Sequence, residues 1–145
     1  MSSLEEEFRR LYAESKALEE YIQALRQRYQ LLEASESALL TAKDAIKALT
    51  QSQEGQQMLV EVGGGVYVRT SVVDSKRALI NVGEGVFIDK TVEDCQKILE
   101  DRVESIRKAK QSALEEMTQA QQQLNDRQSR LVQISQRLQT LTKNE

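Results

Sequence analysis

Few side chains in this sequence could carry out chemistry. It has no His, one Cys and 23 acidic residues among 145 positions. His is the commonest general base and a frequent metal ligand, so its absence disfavours acid–base catalysis and metal binding. Cys95 falls on the apolar side of a helical pattern, where a thiol is more often a small packed side chain than a nucleophile. We therefore expect no enzymatic activity, no cofactor and no metal site.

Two glycine-rich segments, Gly63-Gly64-Gly65 and Gly83-Glu84-Gly85, could suggest phosphate binding. A dinucleotide-binding loop needs a third Gly and a helix directly after it, and a triphosphate-binding loop needs a Lys. Here a strand-like segment follows each loop instead. Both segments are therefore predicted to be three-residue hairpin loops with Gly in the left-handed conformation. The predicted turn residues are Gly63, Gly65, Gly83 and Gly85.

The segments around these loops alternate between apolar and other residues with a period of two, which is typical of β-strands. We predict two β-hairpins within residues 57–90, connected around Asp74-Ser75-Lys76. Four short strands with two apolar faces and unpaired edges are not stable alone. Joining hairpins from several chains into a β-barrel would remove those edges, so the repeat predicts oligomerisation. The residues expected at the interfaces are Val60, Val62, Val66, Val68, Ile80, Val82, Val86 and Ile88.

Two long helices are predicted on either side, over residues 1–53 and 91–145. Apolar residues recur at alternating steps of three and four, which is the heptad pattern of a coiled coil. Ser3 with Glu6, and Thr91 with Asp94, resemble helix-capping sequences. Gly55 is a typical stop signal for the first helix. The fold class is therefore mostly α, an antiparallel coiled-coil hairpin with a small β part, in a single domain of residues 1–145.

The heptads leave the pairing of the two helices open. In one antiparallel register Leu25 faces Leu124, and in a second Leu18 faces Leu124. Both set the large Tyr29 against an Ala, as close packing requires. Each helix could also pair with a copy of itself in another chain, because heptads alone do not fix the partner.

The overall composition excludes several classes of function. Aromatic residues make up 4%, charged residues 30%, and Pro is absent, which suits long helices rather than a compact globular core. The net charge is −3 with mixed signs, so nucleic-acid binding is not expected. There is no apolar run of about 20 residues and no leader-like N-terminus, so we expect a cytoplasmic protein that does not enter membranes.

One segment of the sequence, LVEVGGGVYVRTSVVDSKRALINVGEGVFIDKTVEDC at residues 59–95, contains two related motifs. A VxVGxG motif precedes a short strand, and a second VGxG leads through a strand to Lys-Thr and Glu-Asp at a helix start. In these motifs, and in the order helix, two hairpins, helix, the chain resembles the alpha class of prefoldin subunits. Glu61 stands where that family often has Pro, a departure that affects only an edge position.

The resemblance implies a hexamer of two alpha and four beta subunits, in which the hairpins form a β-barrel platform. It also implies an ATP-independent holdase chaperone that captures unfolded client proteins and delivers them to a group II chaperonin. A client would bind where the helix pair ends at both chain termini, because helix ends fray and expose their apolar residues. The predicted client-binding residues are Leu4, Phe8, Leu11, Tyr12, Leu131, Ile134, Leu138 and Leu141.

A second interpretation is a scaffold with the same β-structure, in which the helices act as spacers, as in filament-forming relatives of this family. The two interpretations differ in their partners. A holdase subunit would need beta-type partners with one hairpin, whereas a scaffold would assemble with itself.

Overall fold

Two long helices, with two β-hairpins between them in sequence, make up the computed structural model, which describes residues 2–144. This confirms the predicted fold class. The elements are α1 (Ser3–Thr50), β1 (Gln57–Gly63), β2 (Val66–Ser71), β3 (Arg77–Gly83), β4 (Val86–Thr91) and α2 (Val92–Lys143).

Hydrogen-bonding side chains begin both helices. Ser2 Oγ accepts a hydrogen bond from the Glu5 amide at 3.3 Å, and Glu5 Oε2 accepts one from the Ser2 amide at 3.4 Å. This reciprocal pair is a capping box, one residue earlier than the predicted pair of Ser3 and Glu6. Thr91 Oγ1 accepts from the Asp94 amide at 3.2 Å, which confirms the predicted start of α2.

The end of α1 differs from the prediction as well, since the helix stops at Thr50 rather than at residue 53. The hydroxyls of Thr50 and Ser52 donate to the carbonyls of Lys47 and Ala48 at 2.6 and 2.8 Å. They thereby add hydrogen bonds to carbonyl groups of the last turn, where the Ala48 carbonyl also accepts from the Gln51 amide at 3.2 Å. Gly55, with φ of +82°, follows in the connection to β1.

The chain divides into two compact units. The terminal unit contains Met1–Glu33 and Lys108–Glu145, and the hairpin unit contains Ala34–Arg107. In the terminal unit the two helices pair antiparallel, with Arg130 bonded to Glu7, Arg127 to Glu14 and Lys110 to Glu33.

Packing in the terminal unit selects one of the two possible registers. Ile22, Ala120 and Leu124 form a buried cluster, and Leu18 packs against it. This is the register that places Leu18 opposite Leu124. Along α2 the seam alternates small and large side chains at Ala113, Met117, Ala120 and Leu124, which allows close packing against the large seam residues of α1.

Polar residues on the seam of α2 find partners on α1 in this register. Arg127 Nε lies 2.8 Å from Glu14 Oε2, and Lys110 Nζ lies 4.0 Å from Glu33 Oε1. The Lys110 ammonium also lies 5.1 Å from the centre of the Tyr29 ring, a cation–π contact. In the other register Arg127 would face Ile22 and would lose its carboxylate. Polar positions on a seam therefore fix the alignment here, as they do in other coiled coils.

The hairpin unit contains two separate two-stranded antiparallel sheets, β1–β2 and β3–β4. Their registers are equivalent: Val60 pairs with Val68 in the first, and Ile80 pairs with Ile88 in the second. Both sheets carry a register shift just before the turn, between Glu61 and Gly63 and between residues 81 and 83. The internal repeat read from the sequence is thus a structural repeat with the same bulge in each copy.

The hairpin loops are shorter than predicted. Each has two residues, Gly64-Gly65 and Glu84-Gly85, rather than three. Both loop residues have positive φ in each hairpin, +61° and +78° in the first and +50° and +75° in the second. Two-residue loops with this geometry match the right-handed twist of the strands they join. The predicted turn residues Gly65 and Gly85 do lie in the loops.

The remaining predicted turn residues, Gly63 and Gly83, are instead the last residues of β1 and β3. They have φ of +118° and +129° and lie at the register shifts, where only Gly adopts such angles without strain. In the second hairpin the Asn81 side chain also accepts a hydrogen bond from the Gly83 amide at 2.9 Å.

The connection between the hairpins has a defined structure. Asp74 Oδ1 accepts a hydrogen bond from the Lys76 amide at 2.8 Å, as the predicted turn at Asp74-Ser75-Lys76 requires. The Lys76 carbonyl then accepts from the Val92 amide at 2.9 Å, which ties this turn to the start of α2. The buried residues of this unit are Val72, Ile80, Val92, Cys95, Leu99 and Val103.

The equivalent loop positions Gly64 and Glu84 allow a matched test of the turn geometry. Gly64→Glu should destabilise the first hairpin by about 1 kcal/mol, because a side chain is disfavoured at positive φ. Glu84→Gly should stabilise the second hairpin by a smaller amount. It removes the strain at positive φ, but Gly also makes the unfolded chain more flexible, which offsets about 0.4–1 kcal/mol of that gain. Hydrogen exchange of peptides covering 57–71 and 77–91 measures each hairpin separately. Equal protection in all three proteins would contradict this turn assignment.

Candidate functional site

The predicted client-binding residues all lie in one part of the terminal unit, residues 3–15 of α1 and 127–143 of α2, called here the terminal segment. Leu11 and Ile134 are buried between the helices, with Ile134 only 1% exposed. Tyr12 and Leu141 are each 52% exposed. The other four, Leu4, Phe8, Leu131 and Leu138, are half-buried. The helix pair therefore closes over two of the eight residues and presents the other six, wholly or in part, to solvent.

An open groove of about 440 Å³ runs along the terminal segment. Apolar atoms form most of its surface, and it is lined by Phe8, Ser135, Leu138, Gln139, Thr142 and Lys143. The Phe8 ring stacks on Tyr12 with ring centres 6.5 Å apart, so the aromatic surface continues from the groove onto the outside of α1. Such a surface can bury apolar side chains without requiring a particular sequence.

The polar part of the groove was not predicted from the sequence. Ser135, Gln139 and Thr142 each follow a seam residue of α2 directly in the sequence, at Ile134, Leu138 and Leu141. Ser135 and Thr142 occupy a heptad position that flanks the seam, so the periodicity contained the signal for these two residues, whereas Gln139 occupies a different heptad position farther from the seam. Their polarity concealed it.

Two ion pairs close the terminal segment along its sides. Arg130 donates from Nε and Nη2 to the two carboxylate oxygens of Glu7, at 3.0 and 3.2 Å. Arg127 Nε donates to Glu14 at 2.8 Å. The hydrogen bond from Arg130 lowers the pKa of Glu7 below its ordinary value, and the positive charges of Arg130 and Arg10 lower it further. This pair therefore favours the closed terminal segment only while Glu7 is ionised.

A weak layer lies at the inner boundary of the terminal segment. Ser15 is on the seam and 5% exposed, and its hydroxyl has no hydrogen-bond partner among residues 2–144. A buried hydroxyl without a partner costs about 1–3 kcal/mol of desolvation. Opening the helix pair outward from this layer would return the hydroxyl to water. Separating the helices of the terminal segment therefore costs less free energy than it would with an apolar residue at this position.

The second set of predicted residues lies on the hairpins. Seven of the eight interface residues are exposed, between 39% and 63% of each side chain's surface. Ile80 differs, since it is 7% exposed within its own chain. The β3 strand that carries it approaches α2: Arg102 donates to the Asn81 carbonyl at 2.6 Å, and Cys95 Sγ lies 3.9 Å from the Ala78 carbonyl. Ile80 therefore contributes to the folding of its own chain.

Apolar side chains also occupy the opposite face of both sheets, which the predicted interface did not include. Leu59 and Tyr67 lie on this face of the first hairpin, and Leu79 and Phe87 lie on it in the second. Each is between 58% and 69% exposed. Within residues 2–144, both faces of both sheets therefore carry exposed apolar side chains.

Cys95 is buried, as expected of a packed side chain. Burial raises the pKa of the Cys95 thiol above its ordinary value, and the Asp94 carboxylate adds to this shift. Across residues 2–144, no group of three His, Cys, Asp or Glu side chains lies close enough together to hold a metal ion. Neither of the helices described here has the long apolar stretch that crossing a membrane would require.

Comparison with known proteins agrees with this architecture. The sequence profile of the prefoldin subunit family matches residues 18–143. The chain belongs to the prefoldin family. The match covers α1 from residue 18 onward, both hairpins and α2, so the resemblance read from residues 59–95 extends along most of the chain. Prefoldin is a non-enzymatic, chaperone-type family, which agrees with the lack of a catalytic site expected from the sequence.

A solved prefoldin structure has the same fold. It is a filamentous prefoldin from Methanocaldococcus jannaschii determined by cryo-electron microscopy, with a TM-score of 0.69 and 21% sequence identity. The match covers 79% of this chain and 94% of that one. Comparison of the sequence with curated proteins gives no significant match.

The Glu7–Arg130 pair makes the terminal segment sensitive to acid. Because the folded-state pKa of Glu7 is lowered, its contribution is complete above the ordinary Glu pKa of about 4.3 and is lost as the pH falls through the lowered value. We expect the methyl NMR signals of Leu11 and Ile134 to shift in that acidic range. Glu7→Gln should largely remove this transition, whereas Glu6→Gln, at an exposed neighbour, should retain it. A full transition in Glu7→Gln would contradict the role of this pair.

Proposed function

We propose that this chain is a subunit of an ATP-independent holdase that captures unfolded polypeptides with its terminal segment. The observation that carries this proposal is the open apolar groove between Phe8 and Leu138, which continues onto the half-exposed Tyr12 and Leu141. Membership of a chaperone-type family supports the same function. Delivery of the captured chain to a group II chaperonin in the cytoplasm follows from the family resemblance.

Client binding would use the hydrophobic effect rather than a specific pocket. Each Å² of apolar client surface that the groove removes from water contributes about 25 cal/mol. A single groove of this size therefore binds weakly. Opening the terminal segment outward from Ser15 would add Leu11 and Ile134 to the surface. Several terminal segments in one assembly would then bind a client together through their high local concentration.

Assembly would depend on the hairpins. The exposed Val and Ile side chains of both sheets would form an intersubunit β-barrel that pairs the open strand edges of neighbouring subunits. We propose two copies of this alpha-type chain with four beta-type prefoldin subunits. Two hairpins in one chain support the alpha-type role, because each hairpin can join a different group of neighbours.

Removing the terminal segment should separate holding from assembly. A chain of residues 13–130 lacks all eight predicted client-binding residues, but it retains the Glu14–Arg127 ion pair and both hairpins. We expect it to form a hexamer of normal composition that no longer suppresses aggregation of a chemically unfolded protein without ATP. Light scattering and native mass spectrometry measure the two properties. Unchanged holding by the shortened complex would contradict client binding here.

Point variants make the same test without shortening the helices. Phe8→Ser with Leu138→Ser changes the groove itself. Leu31→Ser, at an exposed site on α1, is the matched control because Leu31 is outside the groove. The double variant should require at least severalfold more complex for the same suppression, and Leu31→Ser should behave as wild type. Equal losses in both would indicate a general effect on surface hydrophobicity.

The interface role of the hairpins is tested at Val82, which is 45% exposed in the single chain. Val82→Asp leaves the charge in water before assembly but buries it without a partner afterwards, which costs several kcal/mol. Helicity by circular dichroism should remain, and sedimentation should show loss of the hexamer. Glu61→Asp, which keeps a charge already present on β1, is the control. A hexamer that forms with Asp at position 82 would contradict this interface.

A second candidate function is a self-assembling scaffold. The specific observation that favours it is the shared fold with a filamentous prefoldin. Electron microscopy of the purified chain alone distinguishes the two functions. Filaments without beta-type partners, together with no suppression of aggregation, would favour the scaffold over the holdase.

A further inference from the structure

The groove at Phe8 and Leu138, called here the terminal groove, has a counterpart further along the terminal unit. This second groove has a volume of about 340 Å³ and lies between α2 and residues Ile22 and Arg26 of α1. Its residues on α2 are Leu114, Met117, Thr118, Gln121 and Gln122, and those of the terminal groove are Ser135, Leu138, Gln139, Thr142 and Lys143. Every member of the first set lies 21 residues before its counterpart in the second, as Leu114 does before Ser135. Because 21 residues are three heptads, the grooves lie on the same side of α2, about 31 Å apart along its axis.

An uncharged stripe on α2 connects the two grooves. It follows two heptad positions on one side of the seam and consists of Gln111, Leu114, Thr118, Gln121, Asn125, Gln128, Val132, Ser135, Gln139 and Thr142. None of the ten is charged, although 30% of the residues in the chain are. All are exposed except Ser135, which is half-buried. Charged residues of the same stretch, such as Glu116, Asp126 and Arg130, lie elsewhere on the helix.

The side chains of the stripe suit the backbone of an extended polypeptide. An unfolded chain offers an N–H and a C=O group at almost every residue, and Gln and Asn side chains can both donate and accept. Gln121 Nε2 donates to Asn125 Oδ1 at 2.9 Å, which orients this pair along the stripe. The Gln121 oxygen can then accept and the Asn125 amide group can donate. A helical occupant would make little use of these groups, because its backbone hydrogen bonds are internal.

We propose that one extended segment of an unfolded client binds the terminal groove and the second groove together, with its backbone along the uncharged stripe. At about 3.3 Å per residue, such a segment crosses from one groove to the other in about 10 residues. Apolar client side chains at that separation would enter the two grooves, and the segment between them would be accepted whether it is acidic or basic. Two weak sites that share one ligand bind it more tightly than either does alone. This inference rests on the proposed function, because it takes client capture at the terminal groove as given.

The test uses fluorescent Gly/Ser peptides that carry Leu-Phe-Leu clusters, with binding to the assembled full-length chain measured by anisotropy. Two clusters about 12 residues apart can reach both grooves, whereas two clusters about 4 residues apart span only about 15 Å. The longer spacing should bind at least tenfold more tightly in wild type. Leu114→Ser, a change in the second groove, should abolish this difference, and Leu31→Ser should retain it. A peptide that bridged terminal grooves of different chains would not respond to Leu114→Ser.

A second measurement tests the stripe between the grooves. Wild-type protein should bind two-cluster peptides with acidic and with basic spacers about equally. Gln121→Glu with Gln128→Glu should favour the basic spacer at least fivefold, because the added carboxylates would lie beside the bound segment. Gln119→Glu with Gln133→Glu adds the same charge off the stripe and is the matched control. An equal preference in both double variants would contradict a path along the stripe.

Several outcomes would overturn the proposal. Equal affinity for both spacings in wild type would do so, and capture at the terminal groove would remain intact. A difference that persists in Leu114→Ser would exclude the second groove. A changed oligomer mass in Leu114→Ser by mass photometry, with helicity retained, would show that another copy of the chain covers the stripe instead. Failure of every peptide to bind, including those with one cluster, would overturn the proposed function as well.

Discussion

The central constraint on this protein is that its β-sheets cannot bury their own apolar side chains. Each sheet has two strands, both strands are edges, and both faces carry large apolar residues exposed to solvent. Isolated two-stranded hairpins are at best marginally stable in water. Ile80 is an exception, because it is buried within the hairpin unit of its own chain at 7% exposure. This exposure supports the proposal that neighbouring subunits supply the rest of the core, so that oligomerisation would be part of folding.

The helices satisfy their own requirements in a different way. Their apolar stripe is narrow, and a single partner helix covers most of it. What distinguishes one alignment from another is polar: Arg127 reaches Glu14, and Lys110 reaches Glu33. The same seam contains Ser15, whose hydroxyl has no hydrogen-bond partner among the described residues, and this weakens the seam where the terminal segment begins. One row of residues thus provides both the alignment of the helices and a place where they can separate.

Much of this architecture could be predicted from the sequence because it depends on periodicity. The heptads predicted both helices, and the alternation with Gly predicted both hairpins. Loop length was wrong because three consecutive loop-like residues, such as Gly63-Gly64-Gly65, do not reveal that the first belongs to a bulge. The register stayed open because apolar heptads repeat every seven residues and accept either alignment. The partners of Arg127 and Lys110 contained the missing information, but they become apparent only in three dimensions. The sequence indicated two apolar faces, but the opposite face with Leu59, Tyr67, Leu79 and Phe87 was left out of the predicted interface because the alternation was used to choose one face of each strand.

The charged seam positions of α2 have a consequence for protein synthesis. If two copies of α2 paired in parallel, each Arg127 would meet its counterpart and each Lys110 would do the same, with no carboxylate between them. Like charges held together in a helical seam oppose such pairing. Polypeptides made side by side on one polysome are therefore discouraged from joining through this helix, and each chain has reason to complete its own helical hairpin before it meets a neighbour.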